Sequence, residues 1–474
     1  MFPGAPAGIA VDPFDTEWVG DYLLAGRDEE ECLRLGEPLT RRALRRRVAA
    51  RATDLRTAGL RAGSSVALHL PPGIEYVESL LAAWTLGAQV ALLDHRLTRH
   101  EVDAALARVA PQLVVSTSDG APVVAPHPGR PARTPHALLQ LSSGSTGPSK
   151  VIGRTASSLV AEVERYRLID GVPAPGERIV LLASMVHVLG LVGGLLYGLH
   201  TGTRITVPRF LSTDAVLDAI DSGPEPATVL GVPFHIDFLA AADRARHLPQ
   251  LKRMTVGGEL VRPAVREAFA GRWSVPLGNM YGMTEAGVIA TDLFGRHRPA
   301  LAPAPGMAVR AEGGELLLAA QDSPYVGLSD PTRWVGGWLH TRDAGEVDPD
   351  SGLLTVRGRL DSQVSVGGLK VDLTEVEQAL AELPGVVEVV VAWDGAIEAF
   401  VVHERGAGGL PALKEALAER LAGYKRPRRL TLVPRLPRTA TGKLVRSVPA
   451  LREAARPAAP PLRPAVPVPP SPSV

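Results

Sequence analysis

Apolar and polar positions along the chain keep to two rhythms. From Thr40 to Gly63, Leu44, Val48, Leu55 and Leu60 recur at helical spacing among arginines, which predicts an amphipathic helix with its cations in water. Short apolar runs then alternate with helical patterns: SVALHL (65–70), EYVESLLAAWTLGA, QVALLD, RHEVDAALARVA and QLVVST. The alternation resumes with RIVLLA, RITVP, ATVLGVP and RMTVGG. Runs of this length between helices predict an α/β domain of mostly parallel sheets flanked by helices. Near residue 360 the pattern changes. DLTEVEQALAEL begins with Asp372 as N-cap and Glu375 three residues on, a capping-box pattern, and VVEVVVAW, EAFVVHE, PALKEALAERL and RRLTLVP follow. That reads as a small α+β domain. The expected division is 1–359, 360–456 and a tail, 457–474, whose eight prolines preclude a packed core and predict disorder.

Between the two halves of the larger domain lies QLSSGSTGPSK (140–150), a loop of small hydroxylated residues and glycines closed by a lysine. Such a loop after a strand offers backbone N–H groups and hydroxyls to a polyanion, and the lysine adds a point charge. The same composition also suits a surface turn. The Walker pattern is not satisfied, because Ser149 stands where its second glycine would be. Lysine is scarce here: of 51 basic residues only six are lysines, among them Lys150 and Lys443. In a chain that otherwise uses arginine, these two positions point to a need for a compact ammonium.

Composition narrows the partners. A length of 474 residues accommodates more than one core, and 45% hydrophobic with 21% charged residues fits a soluble globular protein. A formal net charge of +1 gives no electrostatic reason for a nucleic-acid or acidic-membrane partner. The single cysteine, Cys32, leaves no internal disulfide and suits a reducing compartment. The N-terminus has no basic segment followed by an apolar run, and MVHVLGLVGGLLYGL is short and glycine-rich for a membrane span. A cytoplasmic protein is expected.

Five stretches in order then carry a resemblance: LSSGSTGPSK, YGMTEAG (281–287), HTRDAGE (340–346), GRLDSQVSVGGLKVDLTEVE (358–377) and LPRTATGKLVR (436–446). Together they resemble the core motifs of the adenylate-forming superfamily, which includes acyl-CoA synthetases, aryl-acid ligases and the adenylation domains of nonribosomal peptide synthetases. The resemblance implies a large AMP-binding domain, a small mobile C-terminal domain, and a two-step reaction. A carboxylic acid attacks the α-phosphate of ATP to give an acyl-adenylate and pyrophosphate. The thiol of CoA, or the phosphopantetheine of a separate acyl carrier protein, then takes the acyl group.

The resemblance also implies roles. Ser142, Ser143, Gly144, Ser145, Thr146, Gly147 and Lys150 match the loop that holds the β- and γ-phosphates. Thr284 would bond a phosphate oxygen and Glu285 would hold Mg²⁺. Gly257, Gly258 and Glu259, with Asn279, Met280, Tyr281, Gly282 and Met283, match the segments around adenine. Asp343 would accept the ribose hydroxyls with Arg359 beside it. Lys443 would offset the repulsion between carboxylate and α-phosphate. Asp361 matches the hinge, and Gly367, Gly368 and Lys370 the loop that would face the pantetheine arm.

The chain departs from the family pattern in places. Thr341-Arg342-Asp343 replaces Thr-Gly-Asp, and Pro-Ser-Lys-Val replaces Pro-Lys-Gly. The phosphate loop is similar to that of stand-alone aryl-acid ligases, yet His187 is followed by Val188 where those carry His-Asn. No aspartate lies between Met185 and Tyr197 to pair with an ammonium, which disfavours an α-amino acid. His187 either gates the acyl pocket or packs inside it, and His235 lines the same region. Gly190, with its neighbours, either makes room for an acyl chain or packs a helix. The rival readings are adenylation with another partner, as in nitrite-dependent diazotisation or amide formation, and a nucleotide-binding protein without catalysis.

Overall fold

The computed structural model describes residues 17–142, 150–240, 242, 246–258, 261, 263–327, 332–360, 362–437 and 444–455. The chain divides into two compact units, the first being Met1–Glu375 with Ala418–Lys425, the second Val376–Leu417 with Arg426–Val474. This division falls beyond the expected boundary at 359/360 and returns one short segment to the first unit.

In the first unit the amphipathic helix is Arg41–Thr57, capped by the Thr40 side chain, with Leu44, Val48 and Leu55 buried. Leu60 is buried too, but beyond the helix end. Ser65–His69, Gln89–Leu92 and Leu113–Ser118 join Leu138–Ser142 in a six-stranded sheet, and their mutual pairings are parallel. In a nine-stranded sheet, Arg178–Leu181, Arg204–Val207, Ala227–Gly231, Leu251–Gly257 and Leu277–Met283 also pair in parallel. Strands buried on both faces explain why these segments read as continuous apolar runs. The helix Arg99–Val109 begins with a capping box, Thr98 and Glu101, that the motif pattern had not singled out.

A five-stranded sheet follows, in which Trp338–Val347 pairs antiparallel with Glu315–Ala319 and Leu354–Arg359. The hairpin Gln363–Val366/Leu369–Asp372 closes this part. Asp372 accepts the Thr374 amide at 2.8 Å, as an N-cap does. Glu375 does not complete the expected box: its Oε1 lies 2.7 Å from the buried Lys425 ammonium, a stronger attraction than an amide offers. Lys425 is also 2.8 Å from Glu101, and the Ala422 amide donates to Glu101 at 2.8 Å. Burial opposes the Lys425 charge, but Glu375, Tyr424 and Glu101 together hold its pKa above the ordinary value.

The second unit is the predicted α+β fold. Val386–Trp393, Ile397–His403 and Arg429–Leu432 form a three-stranded sheet. Val390, Phe400, Val433, Leu436, Val448 and Leu451 make its core with the helix Val448–Ala454. Arg446 forms two 2.7 Å bonds to Glu377. Among the described residues no helix is long and apolar enough to cross a membrane.

Candidate active site

Three of the expected nucleotide residues converge at the junction of two sheets in the first unit. Trp338–Val347 alternates buried and half-buried positions, so Thr341 and Asp343 share the inward face. Thr341 donates its hydroxyl to the Leu316 carbonyl at 2.7 Å and accepts the Asp343 amide at 3.0 Å. Asp343 stands opposite Arg359 in the strand register, and Arg359 donates to its Oδ1 at 2.9 Å. The Tyr281 hydroxyl, from the strand Leu277–Met283, donates to its Oδ2 at 2.6 Å. Burial and the neighbouring Asp343 charge push the Tyr281 pKa well up, so this hydroxyl stays a donor. Both carboxylate oxygens are thereby oriented and still have lone pairs for further donors.

Arg342, the unusual residue in this motif, has φ 61°, the left-handed conformation a glycine would adopt freely. Its neighbours face inward, so its side chain lies on the opposite face. There it donates to the Thr332 carbonyl and hydroxyl at 3.1 and 3.0 Å. The substitution therefore leaves the Asp343 cluster intact.

The hairpin that carries Tyr281 turns through Thr284 and Glu285 into Gly287–Asp292. Glu285 accepts the Tyr325 hydroxyl at 3.1 Å. Lys150, 8% exposed, places its ammonium 5.7 Å from the centre of the same Tyr325 ring. Tyr325 is held against the Lys150–Arg154 strand by a bridge to Ile152 and by the bond from the Val326 amide to Val151. One aromatic residue thus links the lysine of the phosphate loop with the expected metal carboxylate. Nothing in the pattern of SPYVG marked it, because a lone tyrosine in a short Pro- and Gly-flanked stretch has no helical or strand periodicity.

Nearby, Asn279 has a buried Oδ1 with no hydrogen-bond partner, an acceptor free for a ligand amine. Met280 is buried, and Gly257 ends the adjacent strand, with Gly258 just beyond it at φ 92°. Gly282 faces the Gly287 carbonyl too closely for a side chain. Met283 ends its strand. Lys370 donates to the Gly258 carbonyl at 2.8 Å, and Gly368 sits against Val232; Gly367 and Gly368 both have positive φ, as the hairpin turn requires. Ser142 ends the strand Leu138–Ser142. Ser143, Gly144, Ser145, Thr146, Gly147, Glu259, Asp361 and Lys443 lie outside the described residues, as does the tail.

The expected acyl region contains a group the sequence did not point to. The turn before His187 is fixed by Tyr76, which bonds the Met185 carbonyl at 2.8 Å, and by Gln140, which bonds the Val186 carbonyl at 2.6 Å. His187 Nε2 then lies 3.7 Å from the buried Asp94, which follows the strand Gln89–Leu92. Asp94 is already held by Arg96, through bonds of 2.8 and 2.9 Å to its Oδ1. Burial raises the Asp94 pKa, but the hydrogen bonds and charge of Arg96, with His187 nearby, outweigh it and hold the carboxyl far below its usual range. An aspartate does reach this region, from another strand, but its charge is matched by Arg96. Val188 packs on the core. Gly190 is a packing position: a side chain there would lie 2.2 Å from the Ser184 carbonyl. His235 is buried beside Phe234 and Phe238, with Nδ1 accepting the Val232 amide at 3.1 Å. Burial lowers its pKa to about 4.

Glu285 fits a hard cation: it is a carboxylate in the turn after Thr284, with one oxygen oriented by the Tyr325 hydroxyl. Among the described residues no three His, Cys, Asp or Glu side chains gather into a metal cage. Magnesium bound here would complete its shell with phosphate and water oxygens.

Comparison with known proteins matches this architecture. The AMP-binding enzyme family model matches residues 24–135 and 116–317, and the AMP-binding enzyme C-terminal domain matches 375–443. The chain is 30% identical over 461 residues to a feruloyl-CoA synthase of Amycolatopsis sp, covering 87% of this chain and 93% of that protein. It is 28% identical over 478 residues to the fatty acid–[acyl-carrier-protein] ligase ScoC of Streptomyces coeruleorubidus, covering 87% and 91%. Its fold superposes with a TM-score of 0.77 on the o-succinylbenzoate CoA synthetase of Bacillus subtilis, at 22% identity over 94% of this chain and 98% of the other. The chain belongs to the adenylate-forming superfamily of AMP-binding enzymes. Within it, the protein is an AMP-forming acid–thiol ligase of the acyl-CoA synthetase type.

Proposed function

We propose that this ligase uses Mg²⁺ and ATP to activate an aryl or arylalkenyl carboxylic acid and transfers the acyl group to CoA. A carboxylate oxygen bonds to the α-phosphorus as the bond to the bridging oxygen breaks, and pyrophosphate leaves. The thiol then adds to the acyl carbon, loses its proton and expels AMP. The observation that carries the reading is the pair of anchored carboxylates on one hairpin and its neighbours. Asp343, oriented by Tyr281 and Arg359, would take the ribose hydroxyls. Glu285, oriented by Tyr325, would take the metal, with Lys150 on the same ring. Magnesium supplies charge neutralisation for the departing pyrophosphate.

Lys443 is assigned to the carboxylate and α-phosphate, Asp361 to the hinge, and Gly367, Gly368 and Lys370 to the thiol-transfer loop. An aryl acid is favoured by the likeness to the feruloyl-CoA synthase and by the aryl-ligase character of the phosphate loop. The neutralisation of Asp94 by Arg96 leaves no spare carboxylate there for an α-ammonium group. The test is pyrophosphate release from Mg-ATP over aryl, fatty and amino acids and nitrite, with Lys443→Ala as control, followed by mass detection of the CoA thioester. Release with aryl acids, lost in the variant, and a thioester product are expected. Release with fatty acids and a carrier protein only, or with nitrite only, would overturn the substrate and acceptor.

A further inference from the structure

Beneath the Thr284–Glu285 turn lies a buried ionic cluster that the nucleotide motifs do not include. The strand that begins at Lys150 ends at Arg154, and the helix Ala156–Arg167, capped by Thr155, follows it. Arg154 and Glu162 are 6% and 1% exposed, and Arg154 donates to the Glu162 Oε2 at 2.6 Å. Arg154 also bonds the Ser158 hydroxyl at 3.2 Å, which fixes the guanidinium along the helix. The other Glu162 oxygen, Oε1, accepts the Val288 amide at 3.3 Å. One turn on, Arg165 donates to the Ala286 carbonyl at 3.3 Å. Between these two peptide groups stands Gly287, with φ +79°. A Cβ on it would lie 2.1 Å from the Glu162 carboxyl, so only glycine lets the carboxylate approach.

We propose that Glu162 and Arg165 are positioning residues for Thr284 and Glu285. They grip the chain on both sides of Gly287 and so fix where the turn presents its oxygens to magnesium and phosphate. A buried ion pair serving stability alone gains little over apolar residues of the same volume. Here the second carboxylate oxygen of that pair and the neighbouring Arg165 are spent on the peptide groups of one turn, two residues from the metal carboxylate. Because Lys150 and Arg154 bound the same strand, the brace also ties this turn to the phosphate-loop lysine. The proposal rests on the reading of Thr284 and Glu285 given above.

The test uses full-length Glu162→Gln, Arg165→Gln and Arg165→Lys, with Arg167→Gln on the same helix as control. Calorimetric ATP affinity is measured with Mg²⁺ and with EDTA, alongside thermal midpoint, kcat and the KM of the acid. The glutamine variants should lose at least fivefold of the Mg²⁺-dependent gain in ATP affinity and at least tenfold in kcat. The acid KM should stay within twofold, and Arg165→Lys should recover part of the loss. Variants that melt cooperatively yet keep the wild-type Mg²⁺-dependent gain would overturn the brace, as would losses that fall equally on the acid KM. Should Glu162→Gln fail to fold, Arg165→Gln, which leaves the Arg154–Glu162 pair intact, decides the matter. A wild-type protein that binds ATP no better with Mg²⁺ would overturn the metal role itself, a result separate from any variant.

Discussion

Arg342 holds a backbone conformation that favours glycine, and what it gains in return can be weighed. A left-handed conformation costs a non-glycine residue about 1–2 kcal/mol. Against this stand two bonds to Thr332 from a guanidinium whose side chain is 31% exposed, with Glu315 3.8 Å away. Partly exposed contacts of this kind contribute roughly 0.5–1 kcal/mol each. The two sides nearly cancel, which explains how the family's glycine could be replaced. Two substitutions separate them. Arg342→Ala loses the bonds and keeps the strain, so it should destabilise by about 1–2 kcal/mol. Arg342→Gly loses the bonds and the strain together but loosens the unfolded chain, so it should sit within about 1 kcal/mol of wild type. Urea unfolding at pH 7 would measure both. Because Arg342 faces away from Asp343, the KM for ATP should change less than twofold in either. Alanine as stable as glycine would refute the strain argument, and a large rise in the ATP KM for both would refute the orientation.

Three other expectations follow from the site. Tyr281→Phe removes a short bond to a buried carboxylate and should cost about 1.5–3 kcal/mol, with a coupling above 1 kcal/mol in a double-mutant cycle with Asp343→Asn; additive effects would count against the contact. Tyr325→Phe keeps the ring near Lys150 but removes the bond to Glu285, so the Mg²⁺ concentration for half-maximal pyrophosphate release should rise several-fold; an unchanged Mg²⁺ profile would contradict the linkage. His235 has a folded pKa of about 4 against an ordinary 6.5, so the unfolded chain binds the proton more readily and stability falls as pH drops from 6.5 towards 4. The loss should reach roughly 2 kcal/mol by pH 5 in wild type and be missing from His235→Gln, so that it appears in the difference between the two curves; equal slopes in both proteins would dismiss it.

Periodicity made most of the sheets legible, because parallel strands buried on both faces must be written as unbroken apolar runs. The order of five motifs drew attention to Asp343, Arg359, Glu285 and Lys150, which lie within them and which we propose hold the nucleotide and its metal. What escaped were residues whose role depends on contacts distant in sequence. Tyr325 reaches Glu285 across 40 residues, and Asp94 reaches His187 from a different strand. Neither has a local pattern. Gly190 was ambiguous because a glycine that makes room for a ligand and one that makes room for a carbonyl are the same letter. Glu375 fitted a capping box until the chain returned at Lys425 with a competing charge.

The division of labour between the two cations gives this sequence its internal logic. Buried arginines are used where several carbonyls must be satisfied at once. Arg178, fully buried, donates to the carbonyls of Ala219, Ile220, Gly223 and Glu225 at the end of the helix Thr213–Asp221, and Arg41 donates to those of Leu23 and Leu199. A five-donor fork suits that task and an ammonium does not. The two buried lysines among the described residues instead place one compact charge in a narrow site: Lys425 between two glutamates and Lys150 against the Tyr325 ring. An arginine at Lys150 or Lys425 would bring a larger planar group and more donors than the buried surroundings can satisfy. That preference for a compact ammonium in confined sites is the physical reason to expect that Lys443 cannot be exchanged for arginine without loss of adenylation.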